Sequence, residues 1–322
     1  MAQHFLLSTQ ARTLSLAKVA RMSDEQAHEA FQAVRWAASS GKPVCPYCDC
    51  DACYTFKTRR IFKCKACGKQ FSVTSGTIFA DRKLPIRDYL LAIAIFVNGA
   101  KGHAALQLSR DLSVQYKTAF VLSHKLREAI ASEQAKIGQL AGHVEVDGAY
   151  FGGHIRPANH KSNRIDRRRA KHQTGKRRVV VVMRERAGRT STGVFATEGQ
   201  AVPHIMASLH PSTTLYADEA THWDSLHARF LTKRINHQEA YSTGEASTNM
   251  AESFFSRLRR AEVGTHHHIS GGYLHAYASE MAWREDNRRV SNGEQYINIA
   301  AAALNHPVSR NWCRYWQRSG RR

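Results

Sequence analysis

Two cysteine pairs constrain this chain more than any other feature. "CPYC" supplies Cys45 and Cys48, "CKAC" supplies Cys64 and Cys67, and the 15 residues 49–63 lie between them. Each pair bends into a knuckle that aims two thiolates at one tetrahedral ion, and this spacing is that of a structural zinc site. A segment of this size has too little core to stand alone, so bound Zn²⁺ would supply its folding energy. Residues 43–80 are therefore expected to form a zinc ribbon, with "YTFKTRRIFKC" as its hairpin and Gly68 relaxing the backbone after the second knuckle. A third pair, Cys50 and Cys53, leaves an exchange of ligands open. The outer pairs are favoured because the stretch from 53 to 64 gives little room. Cys313 stands apart.

Clustered cysteines of this kind indicate metal in a reducing compartment rather than disulfides. The first residues, "MAQHFLLSTQARTLSLAKVARM", are broken by polar and basic positions and lack the continuous apolar segment of a secretory signal. The longest apolar run, Leu90–Val97, is too short to span a bilayer. A cytoplasmic protein without membrane partners is the expectation.

Charge narrows the partner. Lys and Arg number 47 against 26 Asp and Glu, a net +21 with a pI near 10.0. That excess favours a polyanion, and nucleic acid leads. Lys57, Arg59 and Arg60 make the ribbon a DNA contact. A second basic stretch, His154–Arg178, has no apolar period and reads as a loop that meets phosphates, Arg167, Arg168 and Arg169 at its centre. Between them, residues 81–140 read as helices. "KGHAALQLSRDLSVQYKTAFVLSHKLREAI" fits a helix-turn-helix, with Ala104–Asp111, a turn at Leu112–Val114, and a recognition helix from Gln115 to about Ile130. Gln115, Tyr116, Lys117 and His124 would face a groove. An ordinary helical pair fits the spacing equally well, and the basic charge tips the reading toward DNA. The N-terminal segment, 1–42, contains one helix starting at Ser23. The last, 291–322, is a basic tail with Trp312, Tyr315 and Trp316 among its arginines, a composition suited to phosphate and base stacking as much as to terminal disorder.

From His143 the pattern becomes α/β. In "VEVDGAYFGG" a carboxylate, Asp147, sits inside an apolar strand, where a lone buried charge costs several kcal/mol. Next come a continuous valine run, "RRVVVVMRER", a third strand, a helix, "STTLYADEATHWDSLHARF" as strand into helix, a short strand and the helix "STNMAESFFSRLRR". This succession is the element order of the ribonuclease-H-like fold. It puts Asp147 on the first strand and Asp218 at the end of another. Glu252 lies on the last helix, with Asn249 one turn before it on the same face. Their side-chain oxygens would hold Mg²⁺ (or Mn²⁺), which answers the buried charge and suits in-line phosphoryl displacement. Arg259, seven residues beyond Glu252, would share its face and hold phosphate. Any one of these acids alone would be better read as a solvated strand end or helix surface.

Together "CPYC…YTFKTRRIFKCKACGKQFSVTSGTIF", "KLPI", "KGHAALQLSRDLSVQYKTAF", "VEVDGAYFGG", "LYADEA" and "NMAESFFSRLRRAEVGTHHHIS" resemble, in order over residues 22–290, successive blocks of the zinc-ribbon, ISXO-two-like insertion-sequence transposases of the DDE superfamily. The resemblance implies an α/β, ribonuclease-H-like catalytic domain (141–290) preceded by a zinc ribbon and a helical, helix-turn-helix-like DNA-binding segment. It implies binding of terminal inverted repeats and target DNA, metal-dependent strand cleavage and strand transfer, and a homo-oligomer. The family's first two acids fall on Asp147 and Asp218. Its third position is Asn or Glu in different branches, so Asn249 and Glu252 compete, and the spacing favours Glu252. The following basic residue, commonly Lys, would be Arg259. Gly148 stands where the family often has a second acid. The histidines of "GTHHHIS" match a family block and divide evenly between a DNA contact and a surface cluster. A DNA-binding regulator derived from such an enzyme and a ribonuclease-H-like nuclease are the competing readings.

Overall fold

The structure is a computed structural model and describes residues 5–136, 138–153, 158–166, 172, 175–186, 188–235, 242–243 and 246–318. The chain divides into two compact units, one of Met1–Glu133 with Asn287–Arg322 and the other of Gln134–Asp286.

The first unit opens with α1 (Leu16–Ala20) and α2 (Asp24–Arg35). Ser23 starts α2 by a reciprocal cap: its Oγ accepts from the Gln26 amide, and Gln26 Oε1 accepts from the Ser23 amide. The ribbon follows as β1 (Cys53–Phe56), β2 (Ile61–Cys64) and β3 (Gln70–Phe71), an antiparallel sheet in that order. The expected hairpin is β1–β2. Its small core is aromatic: Phe62 lies 5.3 Å from Trp36 and 5.5 Å from Phe71 between ring centroids. Next come α3 (Ile86–Asn98), apolar nearly all round and buried from Leu90 to Val97 except at Leu91, then α4 (Ala105–Asp111) and α5 (Tyr116–Lys136). The two-helix expectation holds in its elements, with α5 running six residues past Ile130.

The second unit is built on a mixed five-stranded sheet. Its strands are β4 (His143–Phe151), β5 (Arg178–Glu185), β6 (Thr190–Phe195), β7 (Thr214–Asp218) and β8 (Leu231–Ile235), ordered β6-β5-β4-β7-β8. β6, β5 and β4 are antiparallel, whereas β7 runs parallel to β4 and β8 parallel to β7. The valine run is β5, buried from Val179 to Met183 because both sheet faces are covered. One face, with Val144, Val146, Val181 and Leu215, packs on α6 (Val202–Ser208) through Ile205 and on Trp223 and Leu226. The other, with Ala149, Phe151, Val180 and Val182, packs on α7 (Asn249–Ala261) and α8 (Leu274–Asp286) through Phe254, Phe255, Leu258 and Ala278. One expected helix differs: after β7, Thr221–Ala228 is 3₁₀ rather than α. Its two buried anchors, Trp223 and Leu226, are three residues apart, the repeat of a 3₁₀ turn.

The chain then returns to the first unit. Residues 292–305, grouped with the basic tail by composition, form the helix α9 (Asn292–Asn305), which buries Tyr296, Ile299 and Leu304. Among the described residues no helix is long and apolar enough to cross a membrane.

Candidate active site

In the ribbon the two knuckles close on each other. Sγ of Cys45 lies 3.6 Å from that of Cys67, and Sγ of Cys48 lies 3.6 Å from that of Cys64. All four sulfurs fall within 4.8 Å of one another. Zn–S bonds of about 2.3 Å in a tetrahedron give S···S edges of about 3.8 Å, so the four thiols fit zinc. The Cys67 amide donates to Cys64 Sγ at 3.4 Å, which favours the thiolate a metal needs, and Gly68 takes φ +70° just after it. Cys50 and Cys53 stay outside, each sulfur directed at a nearby carbonyl, of Ala52 and Cys50 respectively.

The carboxylates are brought together differently. The β4–β7 ladder pairs His143 with Thr214 and Glu145 with Tyr216, an offset that carried two residues further sets Asp147 level with Asp218. Side chains alternate along a strand, so Glu145, Asp147, Ala149 and Phe151 share the face covered by α7. Asp147 pairs with Val182 of β5 on its other side. Burial pushes its carboxyl up to about 7; the Gly148 amide opposes this, and Asp218, Glu252 and Glu198 add like charge. Asp218 closes β7 and accepts from the Ala220 amide at 3.3 Å. Glu252 is exposed in the first turn of α7. Asn249 is the first residue of that helix and also exposed. Among the described residues only the four cysteines place three or more candidate ligand atoms within 4.8 Å of one another. The three acids therefore act on one another electrostatically, but their oxygens do not gather as closely as the four sulfurs do.

Two further acids escaped the sequence reading. Glu198, on the 3₁₀ turn after β6, reaches over Gly148: a Cβ built there would stand 2.5 Å from Glu198 Oε1. Glu198 pairs with His222 at 3.2 Å, and burial, with Asp218 beside it, raises its pKa against the pull of His222 and Arg177. Glu145, 1% exposed, is fully committed. Its Oε2 accepts from the amides of Met250 (2.8 Å) and Ala251 (3.2 Å), while Oε1 accepts from Arg186 Nε (3.0 Å) and Ser247 Oγ (3.4 Å). Thr248, at the N-cap position of α7, makes no side-chain cap. Glu145 thus caps α7 across the sheet and ties the helix bearing Glu252 to the strand bearing Asp147. The signal for Glu145 was its spacing of two from Asp147. For Glu198 the sequence carries no signal, since only the fold brings it over Gly148.

Arg259 is exposed on α7, its guanidinium 5.4 Å from the Phe151 ring at the end of β4. In the first unit Lys57 and Arg59 are exposed at the ribbon hairpin. Arg60 is instead paired with Asp24, at 3.6 Å, and with Glu25 of α2. Gln115, Tyr116 and Lys117 are exposed around the start of α5. His124 does not face a groove as expected; it is fully buried and stacked on Trp312 at 4.2 Å, because the aromatic tail folds back onto α5. Arg167, Arg168 and Arg169 lie outside the described residues.

Comparison with known proteins gives this geometry a family. Residues 139–286 match the ISXO2-like transposase domain, and residues 22–70 match the transposase zinc-ribbon domain. The chain is 24% identical over 296 residues, 88% of its length and 98% of the relative's, to an uncharacterized protein in transposable element ISH50 of Halobacterium salinarum. No solved structure matches it. The first of these domains carries the α/β sheet with Asp147 and Asp218, the second carries the four-cysteine cluster, and the chain belongs to the ISXO2-like, zinc-ribbon family of insertion-sequence transposases.

Proposed function

We propose that this transposase is a metal-dependent polynucleotidyl transferase that binds the terminal inverted repeats of an insertion sequence, cuts at them and joins them to target DNA. The observation that supports the reading is the parallel register of β4 and β7, which carried two residues past Glu145 and Tyr216 brings Asp147 level with Asp218, on the face covered by the helix that bears Glu252. Hard oxygen donors, one of them strained by burial and like charge, suit Mg²⁺ or Mn²⁺. When bound by Asp147, Asp218 and Glu252, such ions supply charge neutralisation at the phosphodiester and at the attacking hydroxyl.

The chain's own groups do the rest. Asp147 holds a proton near neutrality and gives it up where a cation replaces it. Glu252, already acting on Asp147, is the third acid in preference to Asn249. Arg259, exposed on the same helix, holds a phosphate of the bound strand. Lys57, Arg59 and the start of α5 contact the element's ends, and copies of the chain pair two ends for joining.

A strand-transfer assay on DNA carrying the element's ends tests this. Asp147→Ala should abolish joining, about 10³-fold or more, while end binding survives. Glu252→Gln should follow it and Asn249→Ala should not. Joining that persists in Asp147→Ala would overturn the catalytic assignment.

A further inference from the structure

Within the first unit the tail encloses a cleft that neither the ribbon nor the carboxylates use. Its volume is about 570 Å³, within the range of small-ligand sites. The tail reaches it by a turn at Arg314, whose φ of +56° is uncommon for a residue with a side chain. That turn separates Trp312 from Tyr315 and Trp316. Trp312 stacks inward on His124, 4.2 Å away and 18° from parallel. Tyr315 and Trp316 meet edge to face at 5.1 Å. Trp316 is fastened to α5 twice: its Nε1 donates to the Lys117 carbonyl at 3.4 Å, and Lys117 Nζ stands 5.3 Å from its ring centroid. Even so, Trp316 is 38% exposed.

The polar lining is one-sided. Lys83, Lys117, Lys125 and Arg314 line the cleft, and Asp81 is its one acid. Lys125 is largely buried, and burial lowers its pKa against Cys313, Glu128 and Asp81. Glu128 is engaged elsewhere, accepting from Ser309 Oγ and Asn311 Nδ2. Stacking rings beside unbalanced cations are what a nucleotide needs: a flat π surface for the base and ammonium or guanidinium groups for its phosphate. A concavity of this size admits one base with its sugar and phosphate and excludes a duplex, so its occupant must have left the stack.

We propose that this cleft is a binding site for one unpaired nucleotide of a DNA strand, the base stacking on Trp316 and Tyr315 and the phosphate held by Lys117, Lys125 and Arg314. The proposal rests on the DNA partner of the preceding reading but not on its carboxylates. Survival of joining in Asp147→Ala would leave it standing.

The test uses the full chain and two fluorescein-labelled probes, a short oligothymidylate and a duplex of unrelated sequence, read by anisotropy without divalent metal. Wild type should bind the oligothymidylate. Trp316→Ala should weaken that binding about tenfold and leave duplex affinity within about twofold. Trp316→Phe should recover most of the loss, which separates stacking from damage to the tail. Arg314→Ala should flatten the salt dependence of oligothymidylate binding by about one phosphate contact. Failure of wild type to bind the oligothymidylate, wild-type affinity in Trp316→Ala, or an equal loss on both probes would overturn the proposal.

Discussion

The ribbon's cysteines and the acid cluster, which the proposed function assigns to metal, are gathered by opposite means. The ribbon's four sulfurs come from two tight knuckles within residues 45–67 and already lie within 4.8 Å of one another. A thiol can donate to a neighbouring sulfur, as between Cys48 and Cys64, so such contact is tolerated, and local backbone geometry dictates it. Asp147, Asp218 and Glu252 come from two strands and a helix spread over more than a hundred residues, and their oxygens do not gather as closely as the sulfurs; burial, and then the like charge of Asp218 and Glu252, raises Asp147. In the first case metal completes a fold that is otherwise too small; in the second the fold is complete without it, and on the proposed reading metal would relieve a charge the fold has gathered. The two sites should therefore respond differently to every perturbation of ligand, charge and pH.

Metal removal should separate them most widely. Structural zinc sites contribute about 10–16 kcal/mol of apparent binding energy to small domains, more than the ribbon's aromatic core of Phe62, Phe71 and Trp36 replaces. A thiol-competing chelator, or Cys64→Ser, should unfold residues 43–80 and cost end binding. The second unit should keep its thermal transition, since its two hydrophobic layers contain no metal ligand inside them. Calorimetry with and without chelator checks this; loss of both transitions together would erase the contrast.

Glu145 sharpens the contrast from the other side, because here an acid holds the fold without metal. Its carboxylate takes two helix amides, Arg186 and Ser247. Breaking a buried pair costs about 3–5 kcal/mol, and Arg186 is a quarter exposed, so Glu145→Gln should cost the second unit about 2–3 kcal/mol. It should also weaken Mn²⁺ binding by loosening α7 against β4. Urea melts at fixed pH measure the first and Mn²⁺ titration the second. A variant that melts like wild type would demote Glu145 to a passive core polar group.

These two acids show what the sequence makes legible and what it does not. The cysteine spacing is a complete local instruction, so ligands, hairpin and fold could be read from 23 residues. The valine run and alternating strands gave the sheet, because burial on both faces leaves a continuous apolar stretch. Asp147 and Asp218 stood out as acids in apolar strands, where a charge needs a reason. Glu145 has the same signature but reads as an outward strand residue unless α7 is known to end above it. Glu198 sits in a polar turn that any solvated acid would suit, and only the fold puts it over Gly148. His124 misled for a related reason: its cover, Trp312, lies far along the chain, and helical spacing cannot show a distant cap.

The acid cluster's charge can be tested without metal. In the folded chain Asp147 titrates at about 7 against an ordinary 3.8. The native state thus keeps a proton that the unfolded chain releases, and stability falls as pH rises from about 4 to about 7. Asp147→Asn carries no such charge. It should match wild type near pH 4 and exceed it at pH 8 by on the order of 2 kcal/mol, with solvent screening at this half-buried site allowed for. Magnesium should narrow the gap by stabilising wild type alone. A gap that is independent of pH would mean that Asp147 is not strained by its surroundings.

The smallest effect concerns Gly148, where the resemblance led us to expect an acid and this chain has no side chain at all. The space there is filled by Glu198, whose Oε1, Cγ and Cδ would lie 2.5, 2.8 and 3.0 Å from an added Cβ. The crowding falls on a side chain rather than on backbone, so Glu198 can swing away, but only by leaving His222, its partner at 3.2 Å. Gly148→Ala should therefore cost about 1 kcal/mol, with joining reduced severalfold. If Glu198 supplies from the turn after β6 the carboxylate that the resemblance led us to expect at position 148, then Gly148→Glu combined with Glu198→Ala should recover what Gly148→Glu alone loses. Two independent losses that simply add would show that the acid at 198 and the glycine at 148 are neighbours without being alternatives.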